Sequence, residues 1–410
     1  MKIFAQKAKL ATRKMRLLDS KTRNSVLCKL AHTIRLKEKD ILLANAKDME
    51  NAKDYPPALR DRLLLNSNRI ESMATTVEEI ARQEEVIGQI EKDFTRNDGL
   101  QIQKVRIPLG VILMIFESRP NVIIDAAALA IKSSNCIILK GGKEAQYSNE
   151  VLGNIVQEAI KDELPLECIQ VLSSTERSHI DELLSLNEYI DVVVPRGGEK
   201  LISYVYEKAK MAVIAHYKGL CHLFVDKSAR IENAMEIIIN AKVQRPGVCN
   251  AVETILIHKY VVETIGIKIL NELEKNNTEI KVDSLFNSLA STNYTLATDV
   301  DWETEYLDNV ISVKVVGDVD EAIEHIERYG SHHTEGIISE DSANIRKFVL
   351  STDSSCVMIN ASTRFNDGGQ LGLGAELGIS TSKIGAYGPM GAEQMTICRY
   401  IVTGQGHIRG

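Results

Sequence analysis

Apolar residues in the first part of the chain recur at steps of three and four: Val26, Leu30, Ile34 and Ile41, then Ile70, Met73, Val77 and Ile80. That period lines one face of a helix, so residues 23–83 are expected to be helical, with a break at Pro56-Pro57. The opening segment, MKIFAQKAKLATRKMRLLDS, has basic residues but no continuous apolar core followed by a small-residue cleavage site. It reads as an amphipathic helix in a cytoplasmic protein. After the turn signal Asn97-Asp98-Gly99, the alternation of Leu100, Ile102, Val105 and Ile107 predicts a strand or hairpin.

From Leu109 the period changes. Short, continuously apolar runs at 111–116, 136–139, 169–172, 190–194, 212–215 and 223–225 are separated by helical stretches at 123–132, 148–161 and 179–186 and from 199 and 231 onward. Strands apolar on both faces and separated by helices indicate a parallel sheet covered on both sides, a doubly wound α/β arrangement whose ligands bind beyond the strand C-termini. A second alternation runs from 253–258 through 310–316, a helix at 319–328, 336–338, a helix at 342–350 and 357–360. It predicts a second parallel-sheet α/β domain. Residues 364–391 are dense in glycine and are expected to be a functional loop region, and 395–403 a final short strand. Two or three domains are also expected from the 410-residue length, since single cores stop growing near roughly 250–300 residues.

Composition narrows the chemistry. The net charge of −7, from 56 acidic and 49 basic residues, comes without any long run of like charge, which argues against a nucleic-acid partner. No apolar stretch reaches the ~18–20 residues of a membrane helix. Seven cysteines (28, 136, 168, 221, 249, 356 and 398) are dispersed, with no CxxC pair and no Cys/His spacing suited to zinc, so neither disulfides nor a structural metal are expected.

One thiol stands apart. Cys136, Cys221, Cys356 and Cys398 lie in or beside apolar strands and read as buried structural thiols, whereas Cys249 lies in the loop Gln244-Arg245-Pro246-Gly247-Val248-Cys249-Asn250. A loop thiol near Arg245 and a domain junction is either an ordinary loop residue or a nucleophile with a lowered pKa. Lys140-Gly141-Gly142-Lys143 follows the strand at 136–139 and precedes a helix, which suits either a solvated turn or a phosphate. Arg196-Gly197-Gly198 repeats that arrangement after 190–194 and strengthens the case for a dinucleotide. The run 372–378 only superficially resembles a dinucleotide fingerprint, because its last glycine falls one residue late and no βαβ unit surrounds it. His332 and His333 are adjacent, would point apart on any regular element, and read as structural or solvent-facing.

Several blocks match a known family. Pro108-Leu109-Gly110-Val111, Phe116-Glu117-Ser118-Arg119-Pro120-Asn121-Val122 and Leu139-Lys140-Gly141-Gly142-Lys143-Glu144-Ala145 resemble the signature of the gamma-glutamyl phosphate reductases, within the aldehyde dehydrogenase superfamily. So do Cys249-Asn250-Ala251, Thr304-Glu305-Tyr306-Leu307-Asp308, His333-Thr334-Glu335 and Asn360-Ala361-Ser362-Thr363-Arg364-Phe365. The resemblance spans about 107–409 in family order. It implies an aldehyde dehydrogenase-like fold: a cofactor domain from 1–97 and 108–245 with part of 361–383, a catalytic domain over 246–360, and a small β oligomerisation element from 98–107 and 384–410.

The implied reaction is NADPH-dependent reduction of L-glutamyl 5-phosphate to glutamate 5-semialdehyde with release of phosphate, the second step from glutamate to proline. Cys249 would be the nucleophile, forming a thioester. Its backbone N–H, with Arg119 or Asn121, would hold the oxyanion, a donor set worth ~10²–10³ in rate per donor. Lys140, Lys143, Gly197, Gly198 and Glu305 would bind the cofactor, Glu305 reaching the nicotinamide ribose; Arg119, Asn121 and Arg364 would bind substrate. Where NAD-preferring relatives often carry a glutamate, this chain has Lys143, which suits a 2′-phosphate. Near 215–218, where hydrolytic relatives carry a general-base glutamate, there is no carboxylate. A homo-oligomer, dimer or tetramer, and a functional association with glutamate 5-kinase are also implied. Three other readings stay open: a semialdehyde dehydrogenase running the other way on a different acyl phosphate or acyl-thioester substrate, a cysteine hydrolase pairing Cys249 with His216 or His222, and a catalytically silent scaffold.

Overall fold

The computed structural model describes residues 1–172, 176 and 178–409. The chain forms two compact units, the first from 1–215, 372–378 and 389–410, the second from 216–371 and 379–388.

In the first unit the three- and four-residue period becomes a helical layer. Asp19 caps Ser20–Leu36, and Val26, Leu27, Leu30 and Ile34 are buried on its inner face; Asn66 caps Ser67–Arg82, which buries Ile70, Met73, Val77 and Ile80. Each cap accepts an N–H that would otherwise be orphaned at the helix start. Beside these helices lies a five-stranded parallel sheet in the order Ile169–Leu172, Cys136–Gly141, Val111–Phe116, Val192–Arg196, Ala212–Val213. Every residue of Val111–Phe116 is buried, as a central strand covered on both faces requires. From that strand the chain winds to one side through 136–141 and 169–172, then returns to its other side at Val192–Arg196. The reversal opens a crevice at the carboxyl ends of those two neighbours.

The helix Val122–Lys132 ends on a buried cation. Lys132 is 1% exposed and its Nζ donates to Asn24 Oδ1 (3.1 Å), Ala81 O (3.2 Å) and Gln83 O (2.7 Å), tying this helix to the helical layer. A three-stranded antiparallel sheet completes the unit: Ile90–Thr95, Gln101–Pro108 and Thr396–Thr403. The two strands expected near 100–107 and 395–403 pair with each other, and Ile90–Thr95, which has no clear alternation, adds to the outer edge. Ile397, Tyr400 and Val402 of this sheet are exposed.

The second unit is built on a seven-stranded parallel sheet in the order Thr295–Leu296, Glu279–Val282, Val310–Val316, Val252–His258, Cys221–Val225, Thr334–Ile338, Cys356–Ile359. Here the expectation is corrected. The strand near 223–225 was assigned to the first sheet, but Cys221–Val225 pairs with Val252–His258 and Thr334–Ile338 in the second. The boundary expected at 245/246 therefore falls at 215/216. A fully apolar strand looks the same in either sheet, so only its hydrogen-bonding partners decide where it belongs.

Lys132→Met keeps the buried stem and removes the three donated bonds. It is expected to destabilise the first unit by about 1–3 kcal/mol, the cost of unsatisfied buried groups, read as a lower urea-unfolding midpoint with the strand signatures retained.

Candidate active site

Cys249 enters the second sheet at its amino edge. It lies three residues before Val252–His258, the neighbour of Cys221–Val225, which in turn pairs with Thr334–Ile338. Cys221 lies opposite Val252, and His222 opposite both Thr254 and Glu335. Because the three strands are parallel and start nearly level, the segments leading into them meet at one edge. Those segments carry Cys249, His216 with Gly219, and His333. One ligand-capable atom each from His216, Cys249 and His333 lies within 4.8 Å of the others, and the two imidazole rings meet edge to face at 5.3 Å.

His332 and His333 do point apart, but with an outcome the adjacency does not suggest. His332 takes the left-handed conformation (φ +61°) and stays exposed against the Asp353 carbonyl, while His333 turns inward and is fully buried beside Cys249. A non-glycine residue held there costs about 1–3 kcal/mol, a strain that tends to collect at functional sites. The Nδ1 of His333 lies 2.8 Å from Thr334 Oγ1 and 3.6 Å from Cys221 Sγ. Thr334 Oγ1 also accepts from Asn366 Nδ2 at 2.7 Å, and Ser355 Oγ donates to the His333 carbonyl at 2.6 Å. The Nδ1 of His216 lies 3.0 Å from the Ile379 carbonyl, which can only accept, so Nδ1 carries the proton there.

This setting separates the thiols. Burial pushes the Cys249 thiol up, but the charge of His333 and the polar contacts of both imidazoles outweigh it and hold the thiol well below its ordinary value. Cys221, fully buried next to it, is driven well above that value by burial; as a neutral thiol it donates to the Cys249 carbonyl at 3.2 Å. The thiolate is the reactive form of a cysteine, so of the two thiols the setting favours that form at Cys249 and disfavours it at Cys221.

Gly219 is required by close approach: a Cβ there would lie 2.2 Å from the Cys249 carbonyl oxygen and 2.7 Å from its Cα. Its N–H donates to the Glu305 carboxylate, which burial, with the Cys249 charge, holds above the usual carboxylate range. Two residues on, Leu307 adopts φ +52° and its N–H donates to Glu253 Oε1 at 3.3 Å. Glu253 is buried and paired with the equally buried Lys242 at 2.7 Å; burial raises its carboxyl to about 7 against the pull of that lysine. Arg364 donates through Nε to Gln244 Oε1 (3.0 Å) and through Nη1 to Asn250 Oδ1, while Asn250 donates to the Asn366 carbonyl at 2.9 Å. It therefore braces the two ends of the nucleophile loop.

Of the two histidines open to a hydrolase, only His216 stands beside the thiol. The Nδ1 of His222 lies 2.9 Å from Glu335 Oε2, and both side chains are fully buried.

In the first unit, a cavity of about 570 Å³ occupies the crevice at the strand carboxyl ends, lined by Phe116, Glu117, Lys140, Gly142, Lys143 and Tyr204 among others. Lys140 is buried at the end of its strand, with Nζ donating to the Gly141 carbonyl at 3.1 Å, and burial lowers its pKa. Lys143 is exposed. Gly197 and Gly198 precede the helix Glu199–Lys208, and the Gly198 N–H donates to Glu117 Oε2 at 3.1 Å, so a carboxylate stands at that helix start. Arg119 and Asn121 follow Ser118, itself left-handed at φ +47°, and Asn121 Nδ2 donates to Asp125 Oδ2 at 2.8 Å. Sequence assigned no role to Gly219 or Asn250 and read His333 as structural or solvent-facing, whereas it is buried beside Cys249. The match of 333–335 and 249–251 to family blocks was the available signal.

The class follows from a parallel-sheet unit whose entering loops gather a thiol and two imidazoles, and from a doubly wound unit with a crevice at its switch point. Residues 1–291 match the family model described as the aldehyde dehydrogenase family, and the chain belongs to that family of oxidoreductases, which work with a nicotinamide cofactor. It is 45% identical, over 100% of its own length and 99% of the relative's, to gamma-glutamyl phosphate reductase of Caldanaerobacter subterraneus subsp. tengcongensis. The crystal structure of gamma-glutamyl phosphate reductase from Thermotoga maritima superposes with a TM-score of 0.95 at 40% identity, covering 99% of both chains. Within its family the chain belongs with the gamma-glutamyl phosphate reductases. An engineered glycolyl-CoA reductase with bound NADP⁺ shares the fold at a TM-score of 0.72 and 15% identity, over 98% of this chain and 97% of that one. Among the described residues no helix is long and apolar enough to cross a membrane.

In wild type, alkylation at Cys249 should remain fast at pH values below the ordinary thiol range. His333→Ala removes the imidazole whose charge does most to lower the thiol's pKa, so the midpoint of the alkylation–pH profile should move upward, and Cys249→Ser should abolish the fast-labelling site. An unmoved midpoint in His333→Ala, measured by mass spectrometry of the 244–251 peptide, would remove His333 from thiol activation.

Proposed function

We propose that the chain reduces L-glutamyl 5-phosphate to glutamate 5-semialdehyde, releasing phosphate, with Cys249 as nucleophile and NADPH as reductant. The observation that carries this is the convergence of Cys249, His216 and His333 at one sheet edge, in a chain 45% identical over its full length to named gamma-glutamyl phosphate reductases.

The Cys249 thiolate attacks the acyl carbon; the bond from that carbon to the phosphate oxygen breaks, and phosphate leaves with the electron pair. The result is a thioester on Cys249. Covalent capture splits one difficult step into two. The cofactor, when bound, supplies the hydride. The tetrahedral oxygen on Cys249 is stabilised by the Cys249 N–H and a donor from the Arg119 and Asn121 segment, and an imidazolium of the His216 and His333 pair balances the thiolate as it is expelled to free the aldehyde. With no carboxylate at 215–218, the thioester is not matched with a water-activating base there, which preserves it for reduction.

The cavity of about 570 Å³ fits a dinucleotide's adenosine half by size and by chemistry, since Lys140 and Lys143 line it beside two glycine turns. Lys143 is assigned to the 2′-phosphate, Gly197 and Gly198 to the cofactor backbone, and Glu305 to the nicotinamide ribose. Arg119 and Arg364 are assigned to the substrate's anions, with Arg364 also holding Gln244 and Asn250 in the nucleophile loop. The exposed three-stranded sheet is the contact of a homo-oligomer, dimer or tetramer. The compartment is the cytoplasm, where glutamate 5-kinase would supply the acyl phosphate.

Reverse turnover tests the reaction: glutamate 5-semialdehyde, phosphate and NADP⁺ should yield NADPH only when phosphate is present, and Cys249→Ser should lose it. Phosphate-independent turnover would favour a hydrolytic dehydrogenase, and no nucleotide reduction would favour the hydrolase. Lys143→Glu should shift the preference from NADPH toward NADH by about tenfold or more, the worth of roughly 1.4 kcal/mol of lost attraction. An unchanged ratio of kcat/KM values would remove Lys143 from the 2′-phosphate.

A further inference from the structure

The triangle that activates the thiol is also a donor set. One atom each from His216, Cys249 and His333 lies within 4.8 Å of the others. A tetrahedral zinc-class ion with Zn–N near 2.05 Å and Zn–S near 2.3 Å sets its donors roughly 3.3–3.6 Å apart, so the three need to close by about an ångström or so. Cys249 and His216 are only partly buried and lie on loop segments, where such a movement needs no strand to shift.

The surroundings of the rings support ligation. A metal-bound imidazole normally has its other nitrogen fixed by an outer partner, which sets the tautomer and the ring direction. Both histidines meet that condition: His216 Nδ1 donates to the Ile379 carbonyl at 3.0 Å, and His333 Nδ1 lies 2.8 Å from Thr334 Oγ1. His333 is fully buried, with Nδ1 held at Thr334 Oγ1, which leaves Nε2 to face the Cys249 sulfur and an ion bound there.

We propose that Cys249, His216 and His333 form a three-ligand site for a borderline-soft divalent cation of the zinc class, whose binding reversibly blocks the nucleophile. Two nitrogens and one sulfur suit that class of ion over the hard, oxygen-seeking cations. Each histidine ligates through Nε2. Binding displaces to solvent the proton that the thiolate and the imidazole pair hold between them, frees Nε2 of each ring to ligate, and uses the sulfur lone pair that would attack the acyl carbon, with water in the fourth position. The consequence for catalysis rests on the reaction proposed above; the site itself does not.

Cobalt(II) is the probe, because its thiolate complexes show an ultraviolet sulfur-to-metal charge-transfer band that reports the ligand directly and needs no turnover. Titrated into the full chain without oxygen, it should give that band at one equivalent, and zinc should bleach it by displacement. Cys249→Ser should remove the band. His216→Ala, at a partly exposed position that leaves the buried core intact, should weaken binding by at least the roughly 10- to 100-fold seen on loss of an outer partner. No band, a band that survives in Cys249→Ser, or unchanged affinity in His216→Ala would each overturn the site. Turnover assayed with a chelator present tests the reaction separately, so failure of either proposal leaves the other standing.

Discussion

The parallel pairing of Val252–His258, Cys221–Val225 and Thr334–Ile338 governs the active site, because three strands that run the same way and start level must deliver their incoming loops to one edge. Those loops bring together a thiol and two imidazoles that lie 33 and 84 residues apart along the chain, at 216, 249 and 333. An antiparallel neighbour would send one of them to the far end. The site thus depends on sheet register, and a one-residue slip would turn His333 and Cys249 away from each other.

Around this edge the fold places buried charge where it fixes loop positions. The Lys242–Glu253 pair anchors the backbone at Leu307, two residues from Glu305, and Glu335 holds His222 behind the thiol. Removing one partner of such a pair would leave an uncompensated buried charge, which is strongly destabilising. Arg364 does for the nucleophile loop what these pairs do for the strands, clamping Gln244 and Asn250 on either side of Cys249. The lowered pKa of the thiol thus comes from the two imidazoles, and the rigidity of its loop from a separate set of contacts centred on Arg364.

The two units place their candidate ligand sites at opposite ends of their strands. In the first, the crevice lies at the carboxyl ends, where a doubly wound sheet reverses direction. In the second, the thiol and the two imidazoles sit at the amino ends, where the loops entering the strands carry them. The general expectation that parallel sheets bind beyond their carboxyl ends describes the first unit and not the second.

Much was determined by sequence alone. The helical period, the continuously apolar strands and the final strand near 395–403 all appear as expected, because these patterns are local and each element must bury its own apolar face. The distinct setting of Cys249, and the family blocks around it, were legible for the same reason: they are short runs of chain. Tertiary structure alone decided which sheet receives Cys221–Val225, that His333 turns inward while His332 stays out, and that Gly219 lies against Cys249. These depend on which strands hydrogen-bond to which and on the backbone turn at His332, and neither leaves a trace in a pattern of hydrophobic and polar residues.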